Sequence, residues 1–251
     1  MGQGPTEAGR DGVHDRATAD HGLAHTVRAI TERADEIAQA VKPRLRGTLH
    51  AVMTPVSLVA SIVLVALSPT TTAKVSTAVF GVTAVLLFGC SAVYHRGTWS
   101  PRAMSFLRRL DHSNIFLLIA GTYTPLATLL LPPGTARVLL GVVWAGAVAG
   151  ILARVFWLGA PRWLYVPIYL ALGWVAVAFL PDFWTLGSPV IVWLIAAGGL
   201  AYTLGAVVYA TKWPNPSPRW FGFHEIFHVG TVIGYVCHYI AVSIAAYSLA
   251  G

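Results

Sequence analysis

The sequence has few charged residues, and acids are especially scarce outside its N-terminal segment. Asp, Glu, Lys and Arg make up 11% of the 251 residues, whereas soluble domains carry about 25%. Beyond the first 48 residues there are three acids, Asp111, Asp182 and Glu225. The two cysteines, Cys90 and Cys237, both lie in apolar stretches. These shortages exclude an ordinary soluble globule, a disordered chain and a secreted disulfide-bonded scaffold.

In place of charge, the sequence has long apolar runs. Seven of them are long enough to cross about 30 Å of hydrocarbon as α-helices. Their predicted limits are residues 49–68, 73–94, 112–131, 136–157, 162–180, 187–210 and 222–248. The runs are continuous and do not alternate, which favours helices over strands. The sequence therefore predicts an all-α polytopic membrane protein, with a polar, partly disordered cytoplasmic tail (1–44) and a seven-helix membrane domain (45–251).

The basic residues that flank the predicted spans are divided unequally between the two sides of the membrane. Lys74 and Arg137 lie on one side, and eleven lie on the other. The eleven are Lys42, Arg44, Arg46, Arg96, Arg102, Arg108, Arg109, Arg154, Arg162, Lys212 and Arg219. Because cytoplasmic loops are enriched in Lys and Arg, this distribution predicts a cytoplasmic N-terminus and an external C-terminus. Short basic clusters between apolar runs indicate membrane topology and no binding of nucleic acid.

Polar residues from three predicted spans fall in one cytoplasmic layer. Ser91 and His95 lie near the cytoplasmic end of the second span. Asp111 begins the third span, and His224 and His228 begin the seventh. Ionisable groups inside a membrane are energetically costly and usually functional. Their convergence from distant parts of the chain predicts a functional site in the cytoplasmic leaflet.

The spacing of the histidines is suited to binding a metal ion. His224 and His228 are four residues apart, so both imidazoles share one helix face. His95 supplies a third imidazole, and three nitrogen ligands with one open position are typical of catalytic zinc. Zinc is favoured over iron or manganese because the predicted ligands include no carboxylate. Asp111 is predicted to accept a proton from water, and Ser91 to hydrogen-bond the water, the aspartate or a substrate carbonyl.

Each of these residues has a structural alternative when it is considered singly. A histidine at the membrane interface often forms ordinary hydrogen bonds, and Asp111 could cap the helix that it begins. A serine in a membrane helix, such as Ser91, often only packs against its neighbours. Three further residues are predicted to surround the metal ligands: His50 at the start of the first span, and His112 and Glu225, each next in sequence to a predicted site residue.

Residues 224–228, His-Glu-Ile-Phe-His, match the H-E-x-x-H pattern of zinc metalloproteases, in which the glutamate is the general base. This motif raises an intramembrane protease as an alternative. Proteases of that kind take their third ligand from a later Asp-Gly motif, and the only Asp-Gly here is Asp11-Gly12, in the polar tail. The third ligand must therefore come from earlier in the chain, as His95 would.

Four motifs in order resemble the signatures of the hemolysin III proteins, bacterial relatives of the adiponectin and progestin receptors. They are Ser91-Ala-Val-Tyr-His95, Arg109-Leu-Asp111-His112, Ala120-Gly-Thr-Tyr-Thr-Pro125 and His224-Glu-Ile-Phe-His228. The resemblance covers about residues 45–250 and implies seven membrane helices with the N-terminus inside. Receptors of this group resemble ceramidases and bind zinc through three histidines, which the resemblance assigns to His95, His224 and His228. It also assigns Asp111 and Ser91 as their polar partners.

Three functions are compatible with this interpretation. The first is a zinc-dependent membrane hydrolase of a lipid amide or ester, whose substrate enters laterally from the bilayer. The second is a non-enzymatic regulator or receptor of membrane lipid state, in which zinc is structural. The third, suggested by the family name, is a pore-forming haemolysin. A pore predicts a polar stripe along several helices, and the sequence shows little of one outside the cytoplasmic cluster.

Overall fold

A computed structural model describes residues 43–157 and 159–248, and seven long helices make up most of this part of the chain. They are α1 (Thr48–Leu67), α2 (Thr71–Arg96), α3 (Pro101–Leu130), α4 (Pro133–Phe156), α5 (Arg162–Gly187), α6 (Pro189–Thr211) and α7 (Phe223–Tyr247). Each is long and apolar enough to cross a membrane, with a mean hydropathy of 1.4 to 2.1 over its most apolar stretch. The predicted all-α fold with seven spans is confirmed. The predicted tail lies outside the described residues, apart from its last two positions.

The start of the third helix differs from the prediction. α3 begins at Pro101, well before the predicted start at residue 112, so the predicted boundary is wrong. The Ser100 side chain caps the helix by accepting a hydrogen bond from the Ala103 N–H, and a proline is favoured in the first turn. The polar first turns thus extend the helix beyond its apolar part. Because Asp111 lies about three turns inside α3, its interpretation as a helix cap is wrong as well.

The fifth helix changes its hydrogen-bonding pattern along its length. It is an α-helix over Arg162–Gly173, a 3-10 helix over Trp174–Phe179 and a π-helix over Phe183–Gly187. At the first change, the Tyr123 hydroxyl of α3 donates to the Gly173 carbonyl (2.6 Å) and accepts from the Ala176 N–H (2.7 Å). The Tyr123 hydroxyl thus forms hydrogen bonds with the α5 backbone at the point where the regular α-helical hydrogen bonds of α5 are interrupted.

The backbones of α6 and α7 approach closely through two glycines. A Cβ added at Gly230 would lie 2.8 Å from the Ala201 carbonyl oxygen and 3.1 Å from the Gly205 Cα. Such contacts leave no room for a larger residue, and small residues at helix contacts are typical of membrane bundles. This packing holds the first turns of α7, which carry His224 and His228, against α6.

Helix α1 lies at the periphery of the described bundle. The fraction of buried residues in its most apolar stretch is the smallest among the seven helices. The corresponding fraction of α3 is the largest. The buried residues of α1 form a narrow stripe with a seven-residue spacing, His50, Ser57 and Leu64. Its other faces expose apolar side chains such as Val59 and Ile62, which suits a surface in contact with lipid. His50 is the one ionisable residue of α1. It is buried, so its side chain points into the bundle.

Candidate metal centre

The three predicted metal ligands lie together at one end of the helix bundle. His95 belongs to the last turn of α2, and His224 and His228 belong to the first two turns of α7. One nitrogen of each imidazole lies within 4.8 Å of the other two. His95 Nε2 and His224 Nε2 are separated by 3.2 Å. Two distant segments therefore deliver three imidazoles to one point, as the sequence predicts.

This arrangement fits a metal ion bound by nitrogen. Tetrahedral zinc, with Zn–N bonds of about 2.0–2.1 Å, holds its ligand nitrogens about 3.4 Å apart. The 3.2 Å separation is close to that value, and no two of the three ligand nitrogens are more than 4.8 Å apart. Imidazoles suit zinc, whereas calcium and magnesium prefer oxygen ligands. The three side chains can therefore hold a metal ion that prefers nitrogen ligands.

Asp111 and Ser91 lie beside the three histidines. Asp111 Oδ2 is 3.8 Å from His95 Nε2. Ser91 lies one turn before His95 on α2, is buried, and lines the same cavity as Asp111. The carboxylate is close enough to exchange a proton with a group bound at the histidines. The structure thus brings together all five residues that the sequence predicts to form the site.

The two further histidines predicted around the ligands have different neighbours. The His50 ring stacks on the His228 ring, with centroids 3.7 Å apart and planes inclined by 12°. His112 Nδ1 instead accepts a hydrogen bond from the buried Arg154 of α4. Its ring also stacks on that of Tyr165, with centroids 5.9 Å apart. His50 therefore contacts a predicted ligand directly, whereas His112 belongs to a neighbouring group of aromatic and basic side chains.

Glu225, the glutamate of the H-E-x-x-H pattern, is engaged in structural contacts. Its carboxylate accepts a hydrogen bond from the Arg46 guanidinium (2.5 Å) and another from the Gly222 N–H (2.8 Å). The second contact caps the start of α7, because the glutamate side chain reaches back to the N–H of the N-cap residue Gly222. Only 1% of the side chain is exposed. These contacts favour a structural role over that of a protease general base.

We expect Glu225→Ala to lower the melting temperature of the detergent-purified protein. The substitution removes the partner of Arg46 and the cap of α7, and breaking a buried ion pair destabilises proteins by about 3–5 kcal/mol. Glu225→Gln keeps an acceptor for the Gly222 N–H and is expected to melt between Glu225→Ala and the wild type. Thermal unfolding followed by tryptophan fluorescence measures both. Wild-type melting temperatures in the two variants would contradict the structural role.

A largely apolar cavity begins at the histidine cluster. Its polar end is lined by His50, Ser91, Asp111, His224 and His228. From there it continues past Leu118 and Val166 to Leu126 and Phe183. Asp111 and Leu126 are about 22 Å apart along α3 at 1.5 Å per residue. A cavity that is polar at one end and apolar along its length has the shape and chemistry of a site for a hydrocarbon chain with a polar end group.

Two basic residues make buried contacts that the sequence did not predict. Arg46 and Arg154 are predicted only to mark the cytoplasmic side, yet Arg46 pairs with the buried Glu225 and Arg154 donates to the buried His112. Nothing in the residue pattern separates them from the other arginines near the helix ends. Their roles depend on which helices are neighbours.

Comparison with known proteins gives consistent matches over the membrane domain. The model of a family described as Haemolysin-III related matches residues 38–239. Hemolysin-3 of Bacillus cereus is 31% identical over 185 residues, which cover 72% of this chain and 84% of that protein. Hemolysin-3 homolog of Bacillus subtilis (strain 168) is 33% identical over 138 residues, which cover 55% of this chain and 64% of that protein. The family match includes every residue of the histidine site.

Proposed function

The chain belongs to the haemolysin-III-related family and is a multi-pass membrane protein, and we propose that it is a zinc-dependent hydrolase of a lipid amide or ester. One observation carries the proposal. His95, His224 and His228 meet next to Asp111 at the polar end of a long apolar cavity. The histidines suit a catalytic metal, and the cavity suits the hydrocarbon chain of a membrane lipid.

We place this site in the cytoplasmic leaflet. Arg46 precedes α1, Arg96 ends α2, Arg154 lies in the last turn of α4 and Arg162 begins α5. These four residues lie at the same end of the bundle as the histidine cluster, because successive helices run in alternating directions. The positive-inside rule assigns a basic end to the cytoplasm. The substrate is therefore a lipid that enters laterally from the inner leaflet.

The protein's own groups carry out the proton transfers and hold the substrate. Zinc, when bound, supplies Lewis acidity and makes water a better nucleophile near neutral pH. Asp111 Oδ2 accepts a proton from the attacking water and returns it to the departing amine or alcohol. The Ser91 hydroxyl donates to the carbonyl oxygen on which negative charge develops. Cavity residues such as Leu118 and Val166 bind the acyl chain, so hydrolysis yields a fatty acid and an amine or alcohol.

Release of fatty acid from defined lipids tests the proposal. Detergent-purified protein would be incubated in mixed micelles with an N-acyl sphingoid base or with a glycerolipid ester. We expect release from at least one of the two classes, lost after treatment with a zinc chelator and restored when zinc is added. Mass spectrometry of the fatty acid measures turnover. No release from either class by zinc-loaded protein would contradict the hydrolase.

A second candidate is a non-enzymatic receptor or regulator of membrane lipid state. The cavity favours it, because an apolar lining suits binding of a lipid as well as its cleavage. In that case zinc joins α2 to α7, and a bound lipid changes how these helices pack. Lipid that co-purifies with the protein and stays intact in the presence of zinc would support the receptor over the hydrolase.

A further inference from the structure

Three residues at the start of α1 contact the surroundings of the histidine cluster. They are Arg46, Gly47 and His50. α1 is otherwise the least buried helix of the described bundle, and these three residues stand at its N-terminal end. Each of the three residues meets a different part of the cluster.

His50 contacts His228 through its ring face. The planes of the two rings are inclined by 12° and their centroids are 3.7 Å apart. His228 would hold a metal through a nitrogen at its ring edge, whereas His50 meets His228 face to face. His50 does not belong to the group of three histidines whose nitrogens converge. Both His50 nitrogens are buried without a hydrogen-bond partner among the described residues, which leaves the ring face as its contact with the site.

Gly47 supports His95 through the backbone. It is the N-cap of α1 and has a φ of 76°, in the left-handed region that favours glycine. A Cβ at this position would lie 2.6 Å from the Cβ of His95. Any other residue would strain the backbone and push the histidine away. The backbone at the start of α1 therefore packs directly against the Cβ of His95, one of the predicted ligands.

Arg46 joins α1 to the start of α7. Its guanidinium donates to the buried Glu225, which lies between the two histidines of α7 in sequence. The preceding residues strengthen this connection, because the Arg44 and Leu45 N–H groups donate to backbone carbonyls of the α6–α7 loop at 2.9 and 3.2 Å. The Arg44 guanidinium also lies 4.5 Å above the centre of the Trp220 ring. Residues 44–46 are thus held against the loop that precedes α7 and against the first turn of α7.

From these contacts we propose that Arg46, Gly47 and His50 form a clamp that positions the three imidazoles for metal binding. This inference depends on the proposed metal centre. It adds residues that position the ligands and do not bind the metal themselves. His50 acts through its aromatic face, which packs on the His228 ring and restricts its rotation. Residues that orient metal ligands typically change metal affinity by about 10–100-fold when they are replaced.

Zinc affinity of substituted full-length protein tests the clamp. Detergent-purified protein would be stripped with a chelator and titrated with zinc in competition with a chromophoric chelator. We expect His50→Leu to weaken zinc binding by about 10–100-fold, and His50→Phe, which restores an aromatic face, to bind within about threefold of the wild type. Gly47→Ala should weaken binding by a similar factor to His50→Leu. Gly141→Ala is its control, because a Cβ at Gly141 meets nothing within 4 Å.

The outcomes separate the clamp from the metal centre. Wild-type affinity in His50→Leu would overturn the clamp and leave the metal centre intact. Equal weakening in His50→Phe and His50→Leu would also overturn it, because the nitrogens and not the ring face would then be required. Wild-type protein that takes up no zinc would overturn the metal centre, and with it the clamp. Circular dichroism verifies that the two His50 variants remain folded.

Discussion

Replacing His228 by alanine is expected to remove the bound metal from the purified protein. The substitution leaves two imidazoles, and His228 is buried, with one of its nitrogens within 4.8 Å of those of both other predicted ligands. Zinc bound at protein sites contributes roughly 10–16 kcal/mol of apparent binding free energy, so loss of one ligand in three weakens binding by orders of magnitude. Metal analysis by mass spectrometry should find about one zinc per wild-type chain and almost none in the variant.

His238→Ala is the matched control for this experiment. His238 lies on the same helix, and its Nε2–H donates to the Ile195 carbonyl at 3.3 Å, away from the cluster. At 1.5 Å per residue it is about 15 Å from His228 along α7, so its loss should leave the metal content unchanged. Equal zinc content in His228→Ala and the wild type would contradict the assignment of this ligand. No metal in folded wild-type protein would contradict the metal centre and leave the histidines as a packing element.

Asp111→Asn is expected to abolish lipid hydrolysis while the protein keeps its zinc. Asp111 Oδ2 lies 3.8 Å from His95 Nε2, beside the predicted ligands and outside their set. Asparagine has nearly the same shape and can still bond to Ser91, but it cannot accept a proton from water. Loss of a general base lowers turnover by about 10²–10⁴-fold. Fatty-acid release and zinc content would be measured on the same preparation.

Asp182→Asn provides the comparison for Asp111→Asn. Asp182 is the other membrane aspartate of the described chain, and it does not belong to the residues that line the cavity. Its substitution should leave turnover at the wild-type rate. Full turnover by zinc-loaded Asp111→Asn would refute the proton-transfer role. Loss of zinc together with turnover would instead show that Asp111 supports the metal ligands.

The sequence was sufficient to predict the seven spans and the three imidazoles. A membrane helix must satisfy its backbone hydrogen bonds within itself, so length and hydropathy identify it without knowledge of its neighbours. Helical spacing places His224 and His228 on one face. Alternating helix directions then bring His95 to the same depth. These properties are local or follow from chain direction, and the structure brings the three residues together as predicted.

The partners of the side chains were decided by the tertiary structure. Glu225 pairs with Arg46, His112 with Arg154, and the His50 ring with that of His228. Sequence spacing gives the depth of a residue in the membrane, but it does not give the rotation of its helix or the identity of the facing helix. Those depend on close packing between distant segments, such as the glycine contact of α6 with α7. The convergence of the three histidines could therefore be predicted from sequence, whereas the contacts that hold them in place required the packed bundle.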